Sequence, residues 1–191
     1  MLGHTHALIG VTAVATLQAL TAFIHPHPID GLPVGPALCL GAAVIGALLP
    51  DIDAEESSVK AELGFAGRML GGLLRLAGVK HRGATHFGLT ALLMLALGLV
   101  IGQQLGYPDV GLAFGLGYLS HLLADALTKT GLPLLWPWRR QVHLLPRPLR
   151  VRTGGGVESL LFMITAAVFI LLLPGLIPPA VLKLLASLGV S

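Results

Sequence analysis

The sequence has few charged residues and a single cysteine, and both shortages limit what the protein can be. Charged side chains make up 11% of its 191 residues, against roughly 25% in an ordinary soluble domain. A soluble domain could not hide the 54% apolar residues, and the mean hydropathy is +0.84. The composition also excludes a disordered or fibrous chain, and Cys39 alone cannot form an intrachain disulfide. We therefore expect a single integral membrane domain over residues 1–191.

Three further absences narrow the function. The formal net charge is only +3, so the charge gives no reason to expect a nucleic-acid partner. No Lys or Arg precedes Lys60, so the first apolar run lacks the basic segment of a signal peptide. No His-Glu-x-x-His sequence is present, which removes the commonest zinc protease signature.

Five long apolar runs are present, each near the ~20 residues that a helix needs to cross a bilayer. Helices are favoured because a spanning segment must satisfy its own backbone hydrogen bonds. The sequence predicts an all-α, multi-pass transmembrane bundle of about five to six helices, with residues 180–188 as a sixth helix or a re-entrant piece. Residues 59–78 could form an interfacial lid or another membrane helix. The five runs are residues 6–24, 32–49, 86–105, 110–127 and 157–173.

The basic residues are concentrated on one side of this predicted topology. If five helices alternate in direction, the long connections 51–85 and 129–156 share a side that carries every Lys and Arg except Lys183. By the positive-inside rule that side is cytoplasmic. Trp136 and Trp138 would then lie at the headgroup level. We expect a multi-pass inner membrane protein.

His, Asp and Glu residues recur at alternating helix ends, which places them all on the cytoplasmic face, where a bundle could join them in one pocket. They are the ligand types of zinc and of harder divalent ions. The four-residue spacing of His121 and Asp125 puts both on one helix face. The number of candidates suits two or three ions. The candidates are His4, His6, Asp51, Asp53, His81, His86, His121, Asp125 and Glu158.

These residues also have structural interpretations. The two Asp residues after the second run could cap a turn, and the His–Asp pair of the fourth run could tie two helices together. Glu158 could complement the dipole at the start of the fifth helix. The roles of His4 and His143 stay open between ligand and surface residue.

Four motifs contain or adjoin most of the candidate ligands. They are Leu-Leu-Pro-Asp-Ile-Asp (48–53), His-Arg-Gly-Ala-Thr-His (81–86), Gly-Tyr-Leu-Ser-His-Leu-Leu-Ala-Asp-Ala-Leu-Thr (117–128) and Gly-Leu-Pro-Leu-Leu-Trp-Pro (131–137). These motifs resemble the YdjM-like family, which consists of bacterial and archaeal inner-membrane proteins described as predicted metal-dependent hydrolases. The resemblance implies metal ligands at seven positions, with Glu158 as a later acid. Phe87 departs from the family pattern, which has a small polar residue there. The pattern is also remotely similar to zinc-dependent phospholipase C and related single-strand nucleases. The seven implied ligands are His6, Asp51, Asp53, His81, His86, His121 and Asp125.

The leading hypothesis is a membrane-bound metal-dependent hydrolase that cleaves a phosphoester of a lipid or lipid-like substrate at the cytoplasmic surface. We expect two or three ions, zinc before manganese or magnesium. Asp53 or Glu158 is the expected general base, and Arg82 would stabilise developing charge. The basic connections would bind anionic lipid headgroups. The alternative is a non-enzymatic membrane protein with a structural or regulatory metal site.

Overall fold

Five α-helices make up most of the computed structural model, which describes residues 1–24, 35–53, 84–135 and 140–176. Two isolated bridges are the only β-pairing among these residues, so the all-α prediction is confirmed, and each helix falls on one of the five apolar runs. The helices are α1 (Gly3–Ile24), α2 (Gly35–Leu48), α3 (Gly88–Gln104), α4 (Pro108–Ala126) and α5 (Gly156–Leu176). Three short 3-10 helices cover Leu49–Asp53, Ala84–His86 and Arg147–Leu149.

One described helix is clearly long and apolar enough to cross a membrane. Gly156–Leu173 of α5 has a mean hydropathy of 2.3, and 6% of it is buried. Two shorter apolar stretches, Pro36–Ile52 and Gly88–Gln104, cover α2 and α3. Polar residues, among them His6 in α1 and Asp125 in α4, lower the hydropathy of the other two helices. Among the described residues, hydropathy and length therefore single out α5.

Helix α4 lies at the centre of the bundle, packed against α1, α2 and α3, while α5 packs against α1. A buried apolar cluster joins α1, α2 and α4 through Val14, Ala43 and Ala113. Small side chains dominate this cluster. The helices therefore approach one another closely instead of interlocking large side chains.

Glycines set the closest of these approaches. A Cβ atom on Gly46 of α2 would lie 2.0 Å from the carbonyl oxygen of Phe114 in α4. A Cβ atom on Gly111 of α4 would lie 2.0 Å from the carbonyl oxygen of Gly98 in α3. Such small-residue contacts are typical of helix packing in membranes, where burial of apolar surface gives no preference for one helix over lipid.

The connections at the two ends of α4 differ in length and in their contacts with the helix. At its start, Gly106 has a φ of 78° and closes a short turn from α3, a conformation that glycine adopts without strain. At its end, the connection to α5 folds back onto the helix. Leu144 N donates to the Ala126 carbonyl at 2.9 Å, and Val151 N donates to the Leu127 carbonyl at 3.0 Å. Two backbone hydrogen bonds from this connection therefore hold the end of α4, next to Asp125.

Candidate metal centre

Five of the predicted ligands meet at one end of the bundle. They come from four chain segments, which are α1, the 3-10 helix after α2, the 3-10 helix before α3, and α4. Their ligand atoms form two groups within 4.8 Å, His6–Asp51–His121 and His86–His121–Asp125. The described residues therefore contain His and Asp groups that could bind a metal ion.

Each carboxylate lies between histidine rings. Asp51 Oδ1 is 3.5 Å from His86 Nε2 and 3.6 Å from His121 Nε2. Asp125 Oδ1 is 3.3 Å from His6 Nε2, and Asp125 Oδ2 is 3.8 Å from His86 Nε2. The rings of His6 and His121 stack with centroids 3.8 Å apart. The five side chains thus surround a single small volume.

Burial separates Asp51 from the other four. Its side chain is 25% exposed, whereas His6, His86, His121 and Asp125 are at most 1% exposed. Burial raises the pKa of Asp51, but the side-chain hydrogen bond to His86 and the proximity of the other histidines lower the pKa by more than burial raises it. Given its exposure, Asp51 therefore lies on the open side of the cluster.

His121 shows most clearly that a cation fits here. Its Nδ1 lies 2.7 Å from the carbonyl oxygen of Ala47. Since a carbonyl only accepts hydrogen bonds, Nδ1 carries the proton, and Nε2 of the neutral ring presents a lone pair. This Nε2 is buried without a hydrogen-bond partner among the residues that the structure describes. A lone pair 3.6 Å from the Asp51 carboxylate places two acceptors face to face, and a cation between them would relieve the repulsion.

The shared histidine limits how ions can be divided. His121 belongs to both groups, and its single Nε2 lone pair can bind one ion at a time. Two independent three-ligand sites are therefore impossible with these residues alone. The geometry permits one ion with several of the five ligands, or two ions joined by a bridging carboxylate.

A chain of hydrogen bonds supports His86 from behind. Its Nδ1 lies 3.0 Å from Thr85 Oγ1. The hydroxyl of Tyr118, on α4, donates to the backbone carbonyl of Thr85. Metal-binding histidines are typically oriented by such contacts of the second ring nitrogen.

Glu158 is buried, but it lies in neither group of ligands. Its Oε1 accepts the backbone N–H of Leu2 at 2.6 Å, and its Oε2 accepts that of Gly154 at 2.7 Å. Both carboxylate oxygens thus hold backbone donors and join the chain before α1 to the start of α5. This arrangement fits the structural role considered for Glu158, a carboxylate at the start of the fifth helix.

Two further histidines also stand apart. The ring of His4 contacts the edge of Phe162, with centroids 5.2 Å apart. His143 Nε2 lies 3.2 Å from the Lys129 carbonyl in the connection between α4 and α5. Of the two histidines at the start of α1, the structure brings only His6 into the ligand groups.

Several predictions fall outside the described residues. They concern the ligand His81, the charge-stabilising Arg82, the side chain of Asp53, the segment 59–78, Trp136 and Trp138, Lys183 and the tail 180–188. All of these stay predictions.

Sequence reasoning did not identify the supporting groups. Tyr118 precedes His121 by three residues and so shares its helix face, a signal that could have been used. The Ala47 carbonyl and the Met1 amino group, 2.9 Å from Asp125 Oδ1, are backbone groups. The side-chain pattern carries no sign of them.

Comparisons with known proteins identify the family of the chain. The family model described as YdjM inner membrane protein matches residues 1–177. The chain is 39% identical over 108 residues to inner membrane protein YdjM of Escherichia coli (strain K12) and to that of Shigella flexneri, which covers 54% of this chain and 53% of each relative. It is 29% identical over 162 residues to the protein YvsG of Bacillus subtilis (strain 168), which covers 84% of this chain and 86% of that relative.

The chain thus spans about half the length of the two YdjM relatives, and no solved structure matches it. Because the family model covers most of its length, the chain belongs to the YdjM inner membrane protein family.

Proposed function

We propose that this member of the YdjM family is a multi-pass inner membrane hydrolase that uses a divalent metal to cleave a phosphoester of a lipid or lipid-like substrate at the cytoplasmic surface. One observation carries the metal-dependent part of the proposal. Five His and Asp side chains from four segments converge around His121, whose Nε2 lone pair has no hydrogen-bond partner among the described residues. The ligand set suits zinc first, as one or more ions, and manganese or magnesium next.

The arrangement differs from a polar network that only locks helices together. In such a network each acceptor faces a donor. Here the carbonyl of Ala47 fixes the ring proton of His121 on the far side of the cluster. The lone pair then faces Asp51 Oδ1, which is itself an acceptor, at 3.6 Å, and this contact favours a bound cation.

Each residue has a proposed task. A divalent ion supplies Lewis-acid chemistry, since it polarises a phosphoryl oxygen and makes water more acidic. Asp51, the partly exposed member of the cluster, marks the side from which water and substrate would approach. Asp53, two residues further on, is the favoured general base because Glu158 already accepts two backbone N–H groups. Arg82 would stabilise charge that develops on the phosphoryl group.

The cytoplasmic orientation is supported by the two ends of the bundle. The connection from α4 to α5 lies at the ligand end and carries Lys129 and several arginines, while the turn from α3 to α4 has no basic residue. The positive-inside rule then places the ligand end in the cytoplasm. In a Cys39→Ala background, a membrane-impermeant maleimide should label Gln103→Cys in spheroplasts and Thr153→Cys only after permeabilisation. The reverse labelling pattern would show that the ligand end faces the periplasm.

A lipid phosphoester is supported by where the ligands lie. The centre is at helix ends rather than at the middle of the bundle, so a lipid headgroup could reach it from the membrane surface. The arginines of the α4–α5 connection suit bidentate recognition of phosphate and attraction to anionic lipids.

One observation favours the alternative of a non-enzymatic metal site. Four of the five converging side chains are at most 1% exposed, and structural zinc sites are closed by four protein ligands. A site closed by these four would leave no position for substrate. Metal content combined with turnover separates the two functions.

The test begins with metal content by elemental mass spectrometry on detergent-purified protein. Wild type should retain at least one stoichiometric divalent ion, and His121→Ala/Asp125→Ala should lose it. The matched control is His143→Ala/Asp109→Asn, which removes the same two residue types away from the cluster and should keep the metal. A folded wild type without stoichiometric metal would contradict the proposal.

The second step measures turnover of phosphatidylglycerol and phosphatidic acid in mixed micelles by release of headgroup or phosphate. Wild type should show turnover that a chelator abolishes and that the added metal restores. Metal binding without turnover on any phospholipid tested would favour the non-enzymatic site.

A further inference from the structure

An apolar groove runs along α1 between α2 and α5. Its cavity has a volume of ≈ 440 Å³, within the range of pockets that hold small ligands. Apolar side chains from all three helices form its walls, and His4 is the polar side chain at one end. The lining includes His4, Ala7, Leu8, Val11, Val44 and Phe162.

The α1 wall of the groove is a continuous stripe. His4, Leu8 and Val11 follow one another at four and three residues, so they share one helix face. The stripe extends for about 10 Å at 1.5 Å per residue. It starts at the level of the metal centre, since His4 lies two residues before His6, and it runs along the helix away from that centre.

The α2 wall leads to the open side of the metal centre. Leu48 and Ile52 form a buried cluster, and the partly buried Val44 and Ala7 pack against it. Ile52 immediately follows Asp51, the one converging ligand that is partly exposed. The groove therefore follows the edge of α2 as far as Leu48, three residues before Asp51.

The third wall belongs to the helix that is clearly long and apolar enough to cross a membrane. Phe162 lies in the first half of the stretch Gly156–Leu173. A groove beside this helix adjoins hydrocarbon rather than water if α5 spans the bilayer. The bilayer is then the nearest source of an apolar occupant.

We propose that this groove holds a hydrocarbon chain of the lipid substrate while its phosphate lies at the metal centre. This inference rests on the proposed hydrolase function and deepens it, because it specifies a substrate that keeps its chain in the membrane during cleavage. A water-soluble phosphoester has no hydrocarbon chain to place in the groove, so it gains no binding energy there. The enzyme should therefore discriminate by chain length.

Photolabelling tests the occupant directly. Wild type is reconstituted in vesicles of phosphatidylethanolamine and phosphatidylglycerol that contain a trace of phosphatidylglycerol with a diazirine in its acyl chain. After irradiation, peptide mass spectrometry should find adducts on Leu8, Val11 and Val44, which are less exposed than many outer residues. Ala7→Phe should reduce these adducts at least tenfold. The matched control is Leu93→Phe on the exposed face of α3, which should leave them unchanged.

Two outcomes would overturn the inference. Adducts could follow exposure alone, with most on outer residues such as Leu171, which is 79% exposed. Adducts in the groove could also persist undiminished in Ala7→Phe. Retained metal shows that Ala7→Phe is folded, and Leu8→Trp replaces it if metal is lost.

Activity measurements keep this inference separate from the hydrolase proposal. For wild type, kcat/KM should be at least tenfold higher for long-chain phosphatidylglycerol than for a water-soluble short-chain analogue, and Ala7→Phe should remove most of that preference. Equal turnover of both substrates in wild type and variant would contradict the role of the groove but not the hydrolase activity. Adducts confined to the groove without any turnover would contradict the hydrolase activity but not the lipid-binding site.

Discussion

Helices α4 and α5 differ in how much of their surface is buried and in which residues they expose. Most of α4 is buried, and its buried positions are mainly Gly, Ala, Ser, His and Asp. Helix α5 is the more apolar of the two, yet its large side chains, including Leu160, Ile164 and Leu171, are exposed. In water this distribution would be unfavourable, but in lipid the apolar surface already has a suitable solvent. The interior is therefore free to hold the polar groups of the candidate metal centre.

This difference explains what hydropathy can and cannot identify. High hydropathy marks the helix that faces outward, and α5 has it over 18 residues. Helix α4 has a lower hydropathy because it contains Asp125, His121 and several glycines, and these residues are buried in the bundle. Weak hydropathy in α4 thus reflects its central position.

The largest expected contrast compares one leucine from each helix. Leu122 of α4 is 3% exposed, and Leu160 of α5 is 52% exposed. Leu122→Ala should leave a cavity and lower the free energy of unfolding by about 2–5 kcal/mol. Leu160→Ala should change it by less than about 0.5 kcal/mol, because that side chain meets lipid or detergent in both states. Unfolding by SDS in mixed micelles measures both, and equal losses would contradict the outward assignment of α5.

The next contrast concerns the contact between α2 and α4. Gly46→Ala places a methyl group 2.0 Å from the Phe114 carbonyl, so the helices must separate, at a cost of about 1–3 kcal/mol. Gly41→Ala is the control on the same helix, since nothing lies within 4 Å of its added Cβ. Better helix propensity should stabilise that control by up to about 1 kcal/mol. If both variants unfold alike, α2 and α4 do not pack as closely as described.

The sequence predicts most of the frame and part of the site. Apolar length predicts all five helices, although α3 begins at Gly88 rather than His86, because residues 84–86 form a 3-10 helix and Phe87 is extended. Helix alternation explains why ligands far apart in the chain meet at one end. Residue type alone cannot separate His6 from His4, since both begin α1. Their positions differ because His6 faces α4 and His4 faces Phe162.

The contribution of the backbone could not be predicted. The tautomer of His121 is set by the Ala47 carbonyl, and Glu158 is held by the N–H groups of Leu2 and Gly154. Every residue carries such groups, so their use depends on three-dimensional packing. A side-chain pattern can therefore nominate a ligand without indicating which of its atoms faces the site.

The smallest expected effect compares one hydroxyl from each helix. Tyr118 of α4 donates to the Thr85 carbonyl, 33 residues away in the chain, and Thr85 in turn contacts His86 Nδ1. Thr165 of α5 donates to Leu161 within its own helix. Tyr118→Phe should leave the Thr85 carbonyl without this donor and loosen His86, which should weaken metal binding about tenfold. Thr165→Val should leave it unchanged, because its hydrogen bond does not reach another element. Competition with a chelator of known affinity measures both, and unchanged binding in Tyr118→Phe would mean that His86 is oriented by the 3-10 helix alone or contributes little to the metal site.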